Sequence, residues 1–172
     1  DQIFPFGMVD SYTIDVKPAS IVRNTISFRS QNSKDWATLS PSYTALGNKY
    51  LSHMCEFRLA ATGSDYSSNI DAAAKVAIRS LKLTINNNVA DWDTIGTITP
   101  SDIVNRTFGV EGEVELAFDD MTYRNYVIGG TYKALGIKFN YGANNYLEIK
   151  MPKVDFREWE PSIELDEIAT QK

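Results

Sequence analysis

The 172-residue chain holds one cysteine, Cys55, and one histidine, His53. A single cysteine excludes an internal disulfide framework. A structural zinc site wants four Cys or His ligands, and only two exist. Any Ser-His-Asp or Cys-His centre would have to use His53. His53 and Cys55 are two residues apart and would share a strand face, where side chains diverge too little to set up attack on a substrate. There is no glycine-rich phosphate loop. No apolar run approaches the ~20 residues of a membrane helix, and the N-terminus lacks the basic and apolar regions of a signal peptide. The net charge is −5 and the sequence pI about 4.9, so the chain is not built to bind nucleic acid by neutralising phosphates. No cofactor and no metal is expected, and the chain is not expected to be an enzyme.

What is present is ordinary globular material. Hydrophobic residues make up 43% and charged residues 23%, which argues against disorder. A chain of this length is expected to form one domain over 1–172 and to bury roughly 70% of its unfolded surface. The chain starts at Asp1 and stops after Thr170-Gln171-Lys172, so its termini are expected to be trimmed.

The clearest segment runs from Thr107 to Asn140. In Thr107–Phe118 the residues Phe108, Val110, Val114, Leu116 and Phe118 fall on one phase, and Thr107, Glu111, Glu113 and Glu115 on the other. A period of two predicts a half-buried strand. Its wet face carries three carboxylates about 7 Å apart, with no Lys or Arg interleaved. Asp119 to Gly130 then reads as a short helix, about 120–129. Asp119 or Asp120 suits its start, Met121, Arg124 and Ile128, with Tyr123 and Val127 beside them, give three-and-four spacing, and Gly129-Gly130 supplies a left-handed stop. The helix is too short to stand alone and must lie against a sheet. Tyr132–Asn140 follows as a strand, with Leu135, Ile137 and Phe139 alternating against Ala134, Gly136 and Lys138.

Elsewhere, Val9–Val16 and Ile21–Arg29 read as strands joined through Lys17-Pro18-Ala19-Ser20, and Leu51–Leu59 as another. Val76–Asn86 is a strand ended by Asn86-Asn87-Asn88, since Asn tolerates positive φ. Asp71–Ala77 has the makings of a helical turn, and 88–103 looks irregular. Asn145–Met151 alternates until Pro152, and Val154–Trp159 reads as the last strand. Long polar loops are expected at about 30–48 and 60–75. The first carries Trp36, Leu39 and Tyr43, and a loop of that length in a compact domain is usually functional. The sum is a mainly-β fold, an antiparallel β-sandwich or barrel of about eight or nine strands with one short flanking α-helix.

Carboxylate pairs are plentiful (Asp119-Asp120, Glu158/Glu160, Asp166-Glu167), but a glycosidase needs two facing each other across a cleft, one with a raised pKa. Asp65, Asp71, Asp91 and Asp93 match no calcium-loop spacing. The sequon Asn105-Arg106-Thr107 has nothing secretory around it.

Several stretches together resemble the tail tube (major tail) proteins of long-tailed, siphovirus-type bacteriophages. They are Leu81-Lys82-Leu83-Thr84-Ile85-Asn86-Asn87-Asn88, Pro100-Ser101-Asp102-Ile103, and Val110-Glu111-Gly112-Glu113-Val114-Glu115-Leu116 with the Asp-led helix after it. Met151-Pro152-Lys153-Val154 and the ending Ile163–Gln171 complete the set. The resemblance spans about 76–172. It implies a β-sandwich subunit that assembles with itself as hexameric rings stacked into a hollow tube, in contact with other phage tail proteins. It implies location in the virion tail after synthesis in the host cytoplasm, with no membrane partner. DNA would pass through without specific binding. Glu111, Glu113 and Glu115 become candidates for a lumen face that repels phosphates, and a hexamer at −5 per chain would carry about −30 in total. By the same resemblance the early loop reaches the next ring, making Trp36, Leu39 and Tyr43 inter-ring contacts. The competing reading is a carbohydrate- or receptor-binding β-sandwich, given three Trp, nine Tyr and eight Phe. Most of these fall on apolar strand phases, where burial at ~1.5–3 kcal/mol each explains them without a ligand.

Overall fold

A computed structural model describes residues 2–3, 7–31, 34–35, 47, 49–142, 144–162 and 170–171. In chain order these form β1 (Gln2–Ile3), β2 (Met8–Val16), β3 (Arg23–Arg29), β4 (Lys34–Asp35) and β5 (Cys55–Ala60), the last entered through a 3-10 turn at Ser52–Met54. Helix α1 (Tyr66–Ala72) precedes β6 (Lys75–Val76), β7 (Ile78–Asn86), β8 (Ala90–Trp92), β9 (Asp102–Val104) and β10 (Gly109–Ala117). Helix α2 (Thr122–Ile128) is followed by β11 (Lys133–Gly142), β12 (Asn145–Val154), β13 (Pro161–Ser162) and β14 (Thr170–Gln171). The fold is mainly β, sandwich-like and built of antiparallel sheets, as the periodicity predicts. A second helix, α1, joins the expected one.

The chain divides into two compact units. The first comprises Asp1–Asp15, Arg23–Gly47 and Lys82–Gly112. Its sheet has the order β10-β7-β2-β3, with β3 at the edge, and β8 and β9 form a separate hairpin. Strands β2 and β3 pair from Met8↔Arg29 to Asp15↔Arg23, with one extra residue in β2 between Val9 and Ser11. That residue, Asp10, anchors the next turn: its carbonyl accepts from Asn87 N (2.8 Å) and its carboxylate from Val89 N (2.9 Å). Asn88 takes φ +47°, the left-handed conformation predicted for the Asn run, and its Nδ2 donates to the Thr107 carbonyl at 2.6 Å. Ile14, Leu83, Val89 and Ile103 are buried here.

The second unit comprises Val16–Val22, Asn48–Leu81 and Glu113–Lys172. One sheet runs β13-β14-β10-β7 and another β12-β11-β5-β6. Its core holds Phe57, Leu81, Leu116, Leu135, Ile137 and Phe139. The expected alternation of β11 against a polar phase fails at Ala134 and Gly136, which are buried as well. The cause is α1, whose one buried side chain, Ile70, lies on the Gly136 backbone.

Strand β12 does not stop at Pro152 but runs through to Val154, and 155–160 carry no strand. Proline is tolerated because β12 is the edge of its sheet and Pro152 lies at a register shift, between Leu135↔Met151 and Lys133↔Val154. Helix α2 opens after Asp120, whose carboxylate accepts from Thr122 N at 2.8 Å. It closes with Thr131 N to Tyr126 O (2.9 Å), Gly130 N to Val127 O (3.3 Å) and Gly130 at φ +57°, a Schellman stop. Its packed face is Tyr123, Tyr126 and Val127, so of the expected set Tyr123 and Val127 pack and Met121, Arg124 and Ile128 do not. Met121 and Ile128 are exposed, and Tyr126 stacks on Phe156 at 5.6 Å.

Candidate assembly surfaces

The acidic row predicted on β10 is present, with a gradient along it. Glu111 and Glu113 are exposed. Glu115 is half-buried, and its carboxylate accepts from Ser80 Oγ (3.0 Å) and Arg79 Nη1 (3.4 Å) of β7. The strand itself supplies no cation; the neighbouring strand supplies Arg79 to Glu115. On the opposite phase Leu116 is buried and Val114 half-buried, while Val110 and Phe108 are exposed. A strand phase this apolar is normally covered along its length.

The candidate loop contacts Trp36, Leu39 and Tyr43 lie outside the described residues. Two apolar features that the sequence reading did not single out lie within them. The hairpin β8–β9 pairs Ala90↔Val104, Asp91↔Ile103 and Trp92↔Asp102. Its tip presents Ile95 and Ile98 fully exposed, at relative accessibilities of 108% and 103%. Hydroxyls hold the tip: Thr94 Oγ1 bonds Thr97 Oγ1 at 3.1 Å and also meets Ser101 Oγ. On β3 all seven residues are exposed, Ile26 at 59% and Phe28 at 56%. Periodicity reports which face of an element is apolar, not whether anything covers it, so neither feature was visible in sequence.

His53 is exposed in the 3-10 turn, whereas Cys55 is half-buried on β5. Burial, helped by the charge of Glu56, pushes the Cys55 thiol up to about 11, so little thiolate exists near neutrality. Among the described residues the carboxylates with shifted acidity, Glu56, Asp71 and Asp120, are held below their ordinary values by hydrogen-bond donors, the reverse of what a general acid needs. Among the described residues no group of three or more His, Cys, Asp or Glu is placed to hold a metal ion.

Charges beneath α1 form a self-compensating lattice across the sheet β12-β11-β5-β6. Glu56 accepts from Lys75 Nζ (2.6 Å) and Arg58 Nη2 (2.9 Å). Lys150 Nζ donates to Asp71 (2.7 Å) and lies 3.6 Å from Glu148. Lys138 stands directly between Glu56 and Glu148 in register. Arg58 Nη1 reaches the Asp71 carbonyl, and its Nε is buried without a hydrogen-bond partner. The lattice explains how a seven-residue helix stays on the sheet. A shallow depression beside it is lined by Tyr50, Tyr141, Asn144, Asn145 and Tyr146. Among the described residues no helix is long and apolar enough to cross a membrane.

A family model described as phage tail tube protein matches residues 3–167. The chain belongs to that family. Membership makes it a structural protein of the bacteriophage tail, one that assembles with itself and with other tail proteins. No curated protein matches the chain.

Proposed function

We propose that the chain is the repeating subunit of a tail tube, assembling as hexameric rings that stack into a hollow conduit through which DNA passes during infection. The family match over 3–167 carries this reading. In support, β3 stands at the edge of its sheet among the described strands, and a closed ring of sheets removes such edges. The role is structural rather than catalytic, with no cofactor or metal. Assembly takes place from the host cytoplasm, and the site of action is the virion tail.

Glu111, Glu113 and Glu115 line the conduit in this reading. Fixed carboxylates repel phosphates and prevent the counterion-driven attachment that Lys and Arg would create. Segment 30–48, with Trp36, Leu39 and Tyr43, reaches the next ring. Negative-stain electron microscopy of the concentrated protein tests the reading. Rings with a central hole and stacked tubes are expected; monomers at every concentration would overturn it.

The depression of three tyrosines and two asparagines favours a second reading, a glycan-binding surface. Sugar rings stack on tyrosine faces while amides hydrogen-bond their hydroxyls. A glycan array probed with the monomer separates the two, since a tube subunit gives no saturable signal.

A further inference from the structure

We infer that the β8–β9 hairpin tip of one copy docks on the outer face of α2 of the next copy, a contact that presupposes the tube reading and names two surfaces joining its subunits. The tip is a knob. Ile95 and Ile98 are fully exposed, so nothing in their own chain covers them, and Trp92 on the same hairpin is 59% exposed. Hydroxyl bonds among Thr94, Thr97 and Ser101 hold the tip in shape, which lowers the ordering cost on docking. Three large apolar side chains on one short hairpin exceed the scattered apolar residues of an ordinary surface, and such a cluster marks an interaction site.

The outer face of α2 is open. Met121 and Ile128 stand about two turns apart and so share one side of the helix. They are 47% and 67% exposed, and Tyr132, just past the Gly129-Gly130 stop, is 46% exposed. The packed side carries Tyr123, Tyr126 and Val127, so Met121 and Ile128 are apolar residues that the fold leaves in water.

Charge selects a second copy as the occupant. From Ala90 to Val104 the charged residues are Asp91, Asp93 and Asp102, all anionic. From Met121 to Lys133 they are Arg124 and Lys133, both cationic. Asp91 is paired with Arg29, and Asp102 accepts from Ile103 N. Asp93, beside the tip, is exposed and has no partner among the described residues. The cations of the α2 surface likewise have no carboxylate partner among the described residues. Arg124 lies 5.9 Å from the centre of the Trp159 ring, Lys133 4.7 Å from that of Tyr126, and Lys153 3.8 Å from that of Tyr132. An aromatic face fixes a cation in place without cancelling its charge, so an incoming carboxylate finds these three held and unneutralised. The carboxylates before the helix, Asp119 and Asp120, stand at the end away from Ile128, and Asp120 is engaged with Thr122 N. An apolar knob with a free anion meets an apolar face flanked by free cations. Knob and face are different surfaces, so the contact is head-to-tail, and such contacts close into rings or run on as filaments.

The test uses the variants Ile98→Cys and Ile128→Cys, each in a Cys55→Ser background. Oxidation of the two mixed together should give a disulfide-linked dimer that neither variant gives alone. Assembly of the unsubstituted protein is followed in parallel by electron microscopy. Tubes without the mixed dimer would overturn the docking, give the tip to another tail protein and leave the tube reading standing. A protein that never assembles would remove both. Without any cysteine, Ile95→Asp with Ile98→Asp should abolish assembly while moving the thermal midpoint by no more than about 2 °C, since both side chains are already in water. Asp93→Lys should raise the concentration needed for assembly about tenfold, because it sets like charges against each other across the contact. Unchanged assembly of either variant would overturn the proposal.

Discussion

Ile70 of α1 is seated on Gly136 of β11: a Cβ at position 136 would overlap Ile70 Cγ2. Ile70 is 2% exposed and is the one buried residue of its helix. The glycine here is a close-approach residue, needed for space and not for an unusual backbone angle.

Gly136→Ala should therefore destabilise by about 1–3 kcal/mol, the usual cost of overpacking. For a chain of this size that is a midpoint lower by about 2–4 °C per kcal/mol. Adding Ile70→Leu, which removes the offending Cγ2 branch while keeping the volume, should recover part of the loss. Differential scanning calorimetry decides; a double variant no better than Gly136→Ala alone would sink the account.

This pair also marks how far sequence could be read. Alternation located β2, β7, β10, β11 and β12 because period two survives wherever one face is covered and the other wet. The Asn86–Asn88 turn and the Gly129-Gly130 stop were legible because positive φ leaves a residue-type signature. Helix α1 was not, since it buries one residue in seven and sits in a polar stretch rich in serine and asparagine. Small residues at Ala134 and Gly136 were its only trace, on the partner strand. The acidic row on β10 was legible, but the pairing of Glu115 with Arg79 depends on which strand lies alongside, and periodicity says nothing about neighbours.

The lattice beneath α1 makes the protein sensitive to acid. Glu56, held down chiefly by the Lys75 hydrogen bond, and Asp71, held down chiefly by that of Lys150, lie below their ordinary 4.5 and 3.8. For a depressed carboxylate the stabilisation is complete above the unfolded pKa and is lost as pH falls through the folded one. The midpoint should hold down to pH 4.5 and decline below it. At the other end, Lys150 is raised above 10.5 by the Asp71 hydrogen bond, so its contribution is full below that value and fades only at higher pH. Glu56→Gln should flatten the acid limb. Identical acid slopes for variant and parent would refute the assignment.

Gln171 is 1% exposed on the short strand β14, which lies between β10 and β13. Its Oε1 accepts from Trp159 Nε1 (2.9 Å) and its Nε2 donates to the Ala117 carbonyl (3.1 Å). Gln171→Leu keeps the shape but strands both partners, at a cost of about 1–3 kcal/mol. The midpoint should fall, and tryptophan fluorescence should shift as Trp159 loses its partner. A variant as stable as the parent, with an unchanged spectrum, would show the bonds to be dispensable.

The acidic face of β10 separates two roles that a single triple substitution would confuse. Glu115 is bonded to Ser80 and Arg79, so a lysine there meets Arg79 and disturbs the sheet itself. Glu111 and Glu113 are exposed, and surface substitutions away from packed features usually change stability by less than about 0.5 kcal/mol. Glu111→Lys with Glu113→Lys should leave folding and tube assembly intact. It should also turn a surface that repels phosphate into one that releases counterions on contact with DNA. If these residues line a conduit, phage carrying both changes should form tails of normal appearance and eject DNA more slowly, with the defect easing as salt is raised. Normal ejection kinetics at low salt would place the acidic face on the outside of the tube, where its charge serves solubility alone.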